Sequence, residues 1–283
     1  MRMFQTPGRR PLSDLRVWAF VLVSGFDIRI SCLRLASRVG KGLQRAGMLK
    51  ETIKVKWYFV ARRICQAFVL VFFRYRVYGR DHVPETGPFI MAGNHQSFLD
   101  PVFMGIGTRR RLLFMARDTL FRSRWFGKLI RSTNAIPLSR DKADIGAIKL
   151  VLARLQDGHG VCLYPEGTRT HDGRISPFKP GFGLLCRRSQ APVVPALIDG
   201  AFECWPRHRK LFRPGSIVVW FGKPLPPEQI RSMSNEELAD RLTRTLRRMQ
   251  HDCRRRQGKP PYDYNDEPSS SDFPRALGSP PAC

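Results

Sequence analysis

The sequence is short of acid, of paired cysteine and of long uncharged apolar runs, and each shortage closes off a class of protein. Only 23 Asp and Glu stand against 49 Lys and Arg in 283 residues, a formal charge of +26. Such a field draws a protein to polyanions, either nucleic acid or an anionic membrane face, and charge alone does not choose between them. A generally basic proteome would raise it as well. The seven cysteines (Cys32, Cys65, Cys162, Cys186, Cys204, Cys253 and Cys283) are scattered, with no C-x-x-C pair. That spacing argues against a disulfide framework or a zinc site and for free thiols in a reducing compartment. No G-x-S-x-G elbow is present, which removes the usual lipase and thioesterase arrangement.

Nor does any stretch read as a clean membrane span. Val17–Val23 is too short and runs into Asp27 and Arg29. Trp57–Phe73 nears the required length but carries Arg62 and Arg63. Each arginine at mid-membrane costs about 2.5–3.5 kcal/mol, while each Val, Ile, Leu or Phe returns only about 0.3–0.6 kcal/mol. The two contributions roughly cancel. Residues 51–73 are therefore expected to form a helix lying in the membrane interface, its arginines at headgroup level, with an amphipathic core helix as the alternative. Arg9-Arg10 before the first apolar run faintly resemble an export signal, but no small-residue cleavage site follows. Residues 1–50 are read as a basic extension, and a chain beginning at Met48 would still hold everything that follows.

What is present is a rhythm of short apolar runs and helical patterns. Tyr75–Tyr78, Phe89–Ala92, Leu112–Met115, Ala135–Leu138, Val161–Tyr164, Val193–Ile198 and Ile217–Phe221 read as strands buried on both faces. Helical spacing links Ile145, Ile148, Leu152 and Leu155 within 143–156. A last helix over 235–256 shows a capping box, Ser234 with Glu237, and one apolar stripe of Leu238, Leu242, Leu246 and Met249. The alternation predicts an α/β fold with a largely parallel sheet of about seven strands flanked by helices, spanning 74–257. From Gly258 the chain is rich in Pro and Ser, and 258–283 is expected to be disordered. No internal repeat is visible.

Two segments carry chemistry, and each follows an apolar strand, where α/β proteins collect their functional groups. In Gly93-Asn94-His95-Gln96-Ser97-Phe98-Leu99-Asp100, a carboxylate five residues after the imidazole can fold back on one ring nitrogen and leave the other basic. In Pro165-Glu166-Gly167-Thr168-Arg169-Thr170, Gly167 permits a sharp turn, Thr168 offers a hydroxyl, and Arg169 offers a fork suited to phosphate. Glu166 repels phosphate; holding Arg169, or bonding a neutral substrate hydroxyl, suits it better. Either segment alone has a structural reading: a buried polar pair or an ordinary surface turn.

Together the segments resemble the glycerolipid acyltransferase family, whose signature is an N-H-x-x-x-x-D block followed by an (F/L)-P-E-G-T-R block. Asn134-Ala135-Ile136-Pro137-Leu138-Ser139-Arg140 resembles the block between them, Phe178-Lys179-Pro180-Gly181 the F-K-x-G that follows, and Val193-Val194-Pro195-Ala196 the last. Tyr164 and Thr170 are mild departures, standing where Phe or Leu, and Ser, are commonest. The resemblance covers roughly 74–222. It implies transfer of a fatty acyl group from acyl-CoA or acyl carrier protein to the free hydroxyl of a lysophospholipid, most simply 1-acyl-glycerol-3-phosphate. It makes His95 the general base, with Asp100 orienting it, and it gives Arg140, Glu166, Gly167, Thr168, Arg169 and Lys179 to substrate binding. No cofactor and no metal are implied, and no acyl-enzyme. The partners expected are the acyl donor, the lysolipid and an anionic membrane surface on the cytoplasmic side, met peripherally or monotopically. Another lysolipid acceptor is the nearest alternative. A basic membrane- or nucleic-acid-binding protein without catalysis is the distant one, and the chain lacks the aromatic–basic interleaving that nucleic-acid binding would suggest.

Overall fold

The computed structural model describes residues 52, 55–124, 127–128, 130, 135–138 and 145–264. By its internal contacts the chain divides into Met1–Trp57, almost none of which is described, and Tyr58–Cys283, which holds the fold. The expected basic extension lies outside the described residues.

All seven apolar runs are strands: β1 (Phe73–Tyr78), β2 (Phe89–Gly93), β3 (Leu112–Arg117), β4 (Ala135–Leu138), β5 (Gly160–Leu163), β6 (Val193–Asp199) and β7 (Gly215–Phe221). They form one sheet in the order β1-β7-β6-β2-β5-β3-β4. β2 to β6 are parallel neighbours throughout. β7 runs antiparallel to β6 and parallel to β1, so the two form a reversed pair at one edge. The main helices are α1 (residues 55–72), α2 (Asp100–Gly107), α3 (Ile145–Gln156), α4 (Pro180–Ser189), α5 (Ala201–Cys204), α6 (Pro227–Arg231) and α7 (Asn235–Arg256).

Strand side chains alternate between two apolar layers, as the pleat requires. Along β2, Phe89 and Met91 join the layer containing Val69 of α1 and Phe103 and Met104 of α2, while Ile90 and Ala92 join the layer beneath α3, α4 and α7. Burial on both faces is why β2, β5 and β6 read as continuous apolar runs, whereas β1 at the edge alternates with the exposed Arg74 and Arg76. The stripe on α7 (Leu238, Leu242, Leu246 and Met249) is buried, and the Ser234–Glu237 capping box closes in both directions.

α1 has one face on the body, through Tyr58 and Val69, and an outer face exposing Phe59, Val60, Ile64, Leu70 and Val71. Its two arginines divide. Arg63 is exposed, but Arg62 turns inward and donates to the carbonyls of Ile106 and Thr108 at the C-terminal end of α2. Those carbonyls lack intrahelical partners and carry the negative end of the helix dipole, which suits a guanidinium. The headgroup-level position expected for both arginines therefore does not hold for Arg62. Among the described residues no helix is long and apolar enough to cross a membrane.

The first residues of the stretch expected to be disordered are packed on the fold. Lys259–Tyr264 lie against α7, with Arg254 4.1 Å from the ring centre of Tyr262 and Arg247 4.5 Å from that of Tyr264. Residues beyond Tyr264 lie outside the described set.

Candidate active site

Strand register brings the two sequence blocks together. Ala92 of β2 is paired with Leu163 of β5. His95 and Glu166 each stand three residues beyond that pair, so the parallel strands deliver them side by side. The His95 N–H donates to Glu166 Oε1 at 2.8 Å, and the Thr170 N–H donates to the His95 carbonyl, also at 2.8 Å. The second block thus grips the main chain of the first from both sides.

Around His95 nearly every polar residue of its block is a strut. Asn94 extends the sheet with its side chain: Nδ2 donates to the Ile198 carbonyl and Oδ1 accepts from the Ile198 N–H. Gln96 donates to the Gly173 carbonyl and accepts from the Ala201 and Phe202 N–H groups. Ser97 Oγ donates to the Trp205 carbonyl. Buried polar groups have to be satisfied, and here the satisfaction fixes the turn.

Asp100 is the first residue of α2 and has no solvent exposure. Its Oδ2 receives His95 Nδ1 at 2.7 Å, Gln96 N–H at 2.6 Å and Ser97 N–H at 2.8 Å. The carboxylate oxygen accepts, so the shared imidazole proton sits on Nδ1 and the lone pair is left on Nε2. The His95 ring stacks on Tyr164, with centroids 4.2 Å apart and planes at 16°. Its side chain is 21 % exposed. The arrangement is a buried carboxylate, an oriented imidazole and a ring nitrogen free to accept a proton.

Glu166 performs a task that its sequence position did not suggest. It is buried, with Oε1 on the His95 N–H and Oε2 on the Ser176 N–H at 2.9 Å. Burial pushes its carboxyl up to about 7, against the pull of those two N–H groups. Gly167 turns the chain at a φ of 74°, a conformation that favours glycine, and the end of the Lys179 side chain lies over it. Thr168 is half-buried and Lys179 exposed. The Arg169 guanidinium lies 5.9 Å from the ring centre of Phe98. Arg140 lies outside the described residues.

Behind this layer stands a second one that the sequence did not disclose. Gln250 of α7 donates to the same Gly173 carbonyl that Gln96 uses. The Ile175 N–H donates to Tyr264 Oη at 2.8 Å, and that hydroxyl donates in turn to Gln250 Oε1. The one available hint was a glutamine breaking the basic and apolar pattern of α7. Among the described residues no group of three or more His, Cys, Asp or Glu is placed to hold a metal ion.

Fold and site define an α/β enzyme whose polar centre lies at the C-terminal ends of β2 and β5. The family model described as Acyltransferase matches residues 74–199. The 1-acyl-sn-glycerol-3-phosphate acyltransferase of Bacillus subtilis is 27% identical over 172 residues, covering 60% of this chain and 83% of that one. The human 1-acyl-sn-glycerol-3-phosphate acyltransferase alpha is 28% identical over 176 residues, covering 61% of this chain and 62% of that one. The crystal structure of the 1-acyl-sn-glycerophosphate acyltransferase PlsC from Thermotoga maritima superposes with a TM-score of 0.62 at 26% identity, covering 71% of this chain and 80% of that one. Over residues 74–199 the chain is similar to acyltransferases, and its fold and these relatives indicate an O-acyltransferase.

Proposed function

We propose that this enzyme transfers a fatty acyl group from a thioester donor, acyl-CoA or acyl carrier protein, to the free hydroxyl of 1-acyl-glycerol-3-phosphate, giving phosphatidate. The observation that carries the reading is the 2.7 Å contact of His95 Nδ1 with a fully buried Asp100, which leaves Nε2 as the basic atom. His95 Nε2 takes the proton of the acceptor hydroxyl as its oxygen attacks the thioester carbonyl. Asp100 holds the tautomer and balances the imidazolium that develops, and the thiolate leaves. General-base help of this kind is worth about 10²–10⁴ in rate. The chain needs no acyl-enzyme for this route, because attack by the hydroxyl is direct.

Arg169, Arg140 and Lys179 are assigned to the acceptor phosphate, with the Gly167-Thr168 turn beside it. Clamping that phosphate supplies the positioning part of the rate. Glu166 is assigned to holding the His95 turn rather than to touching substrate. The acceptor resides in a bilayer, and the apolar outer face of α1 supports working at its surface from one side, as a peripheral or monotopic enzyme at the cytoplasmic face.

The test is acyl transfer across a panel of lysolipids with acyl-CoA and acyl-carrier-protein donors. Phosphatidate formation from lysophosphatidate, at a kcat/KM above that for lysolipids with larger headgroups, is the expected result. Preference for a different lysolipid would overturn the acceptor assignment and leave the chemistry standing.

A further inference from the structure

The loop that follows α5 is folded on itself. Arg213 N–H donates to the Cys204 carbonyl at 2.8 Å and closes its ends, and Trp205 Nε1 donates to the Arg209 carbonyl at 3.0 Å across it. Its sequence, Trp205-Pro206-Arg207-His208-Arg209-Lys210-Leu211-Phe212-Arg213, holds four Lys or Arg and no acid. Phe212 turns inward, with its ring centre 5.4, 5.2 and 5.7 Å from those of Phe68, Phe72 and Phe73. Leu211 beside it points outward at 80 % exposure, the most exposed large apolar side chain among the described residues.

A single exposed leucine needs no explanation. This one is not alone, because Phe212 ties its loop to the end of α1, where Leu70 and Val71 are 73 % and 75 % exposed. The loop also reaches the site. Trp205 lies 5.8 Å from Phe98 of the His95 block, and its carbonyl receives Ser97 Oγ. An exposed apolar tip set among cations, continuous with a second exposed apolar face, is the pattern of a surface that inserts among anionic headgroups.

We infer that the 205–213 loop is a second membrane-inserting element, in which Leu211 enters the acyl boundary and Arg207, Lys210 and Arg213 meet anionic headgroups. With α1 it gives two-point attachment, which fixes how the enzyme faces the bilayer and brings the His95 block to the lipid surface. A single helix would leave the body free to rotate about it. The charges alone would also suit an acidic protein such as a carrier. An 80 % exposed leucine at the tip is what favours the bilayer, since solvent-exposed charge pairing gives it nothing to do.

The inference rests on the membrane-facing reading of α1, and sedimentation with vesicles, without substrate, separates the two. The proteins are the parent, Leu211→Asp, Leu211→Trp, and Leu184→Asp as a control at an exposed leucine of α4. The vesicles are phosphatidylcholine with phosphatidylglycerol, and thermal unfolding checks that each variant is folded. Leu211→Asp is expected to bind about tenfold more weakly, the order expected from losing the insertion of one leucine. Leu211→Trp binds more tightly, a gain that misfolding does not produce, and Leu184→Asp binds as the parent. Loss on changing only the α1 face, with both Leu211 variants equal to the parent, overturns the inference and leaves the α1 reading intact. Loss on reversing Arg207 and Lys210 with no effect of either Leu211 variant overturns it too, and marks the loop as a dock for an acidic protein.

Discussion

His95 is held by its main chain as firmly as by its side chain, and the two kinds of hold differ in how visible they were beforehand. The contact to Asp100 spans five residues, so the spacing allowed it and the resemblance carried by both blocks singled it out. The contact to Glu166 spans 71, and only the pairing of β2 with β5 creates it. Replacing His95 with Ala is expected to remove nearly all transfer without loss of fold, because the ring is partly exposed and its carbonyl and N–H bonds remain; transfer within about tenfold of the parent would refute the base assignment. Asp100→Asn is milder yet still severe, since an amide keeps an acceptor for the turn but loses the balancing charge. Glu166→Gln tests the clamp. Glutamine accepts one N–H but turns an NH₂ toward the other, so His95 or Ser176 loses its partner, at a cost of about 1–3 kcal/mol. The pH dependence has a definite sign. The folded carboxyl is raised from 4.5 to about 7, so folding binds a proton in that interval and the stability it confers is lost as pH rises through it. Unfolding in denaturant should therefore show the parent's advantage over Glu166→Gln largest near pH 4.5 and shrinking toward neutrality. An advantage that grows with pH would mean that the two N–H groups outweigh burial.

At the scale of elements, local patterns were readable and long-range ones were not. The central strands β2, β5 and β6 announced themselves as short apolar runs because both faces are buried, whereas edge strand β1 carries exposed arginines at alternate positions, and α7 was readable through its cap and stripe. The reversal of β1 and β7 had no local signature, since a strand's composition does not record the direction of its neighbour. The strap over 259–264 was hidden for a related reason. Its polar and Pro-rich composition suits disorder, and two tyrosines engaged by α7 outweigh that bias. Tyr264 and Gln250 share a hydroxyl bond and together reach Ile175 and Gly173, the loop next to the Glu166 clamp. Ending the chain after Gly258 should lower the melting temperature by several degrees, the order expected for losing three partly buried side-chain hydrogen bonds and two cation–ring contacts. Ending it after Tyr264 should change little. Equal melting temperatures for the two truncations would show that the strap contributes nothing to the fold.

At the scale of the whole molecule, the proposed membrane attachment would have to be shared between a formal charge of +26 and the exposed apolar face of α1. Attraction to anionic lipid amounts to about 1 kcal/mol for each basic residue near the membrane. That term is screened over about 8 Å at physiological ionic strength, whereas apolar insertion is insensitive to salt. Binding to anionic vesicles should therefore weaken as salt rises and then level off at a residual fraction. The side chains to remove for that residue are not chosen by hydrophobicity alone. Phe68 and Phe72 pack edge-to-face on Phe212, so changing them would disturb the fold as well as the surface. Ile64, Leu70 and Val71 are 62 %, 73 % and 75 % exposed, so serine there alters the surface and little else. The triple serine variant is expected to keep its melting temperature and its binding at low salt, and to lose the salt-resistant fraction. A purely electrostatic adsorber behaves differently: high salt releases the parent completely, and the serine variant is indistinguishable from it. Sedimentation of both proteins at low and high salt decides the matter, and complete release of the parent would refute apolar anchoring through α1.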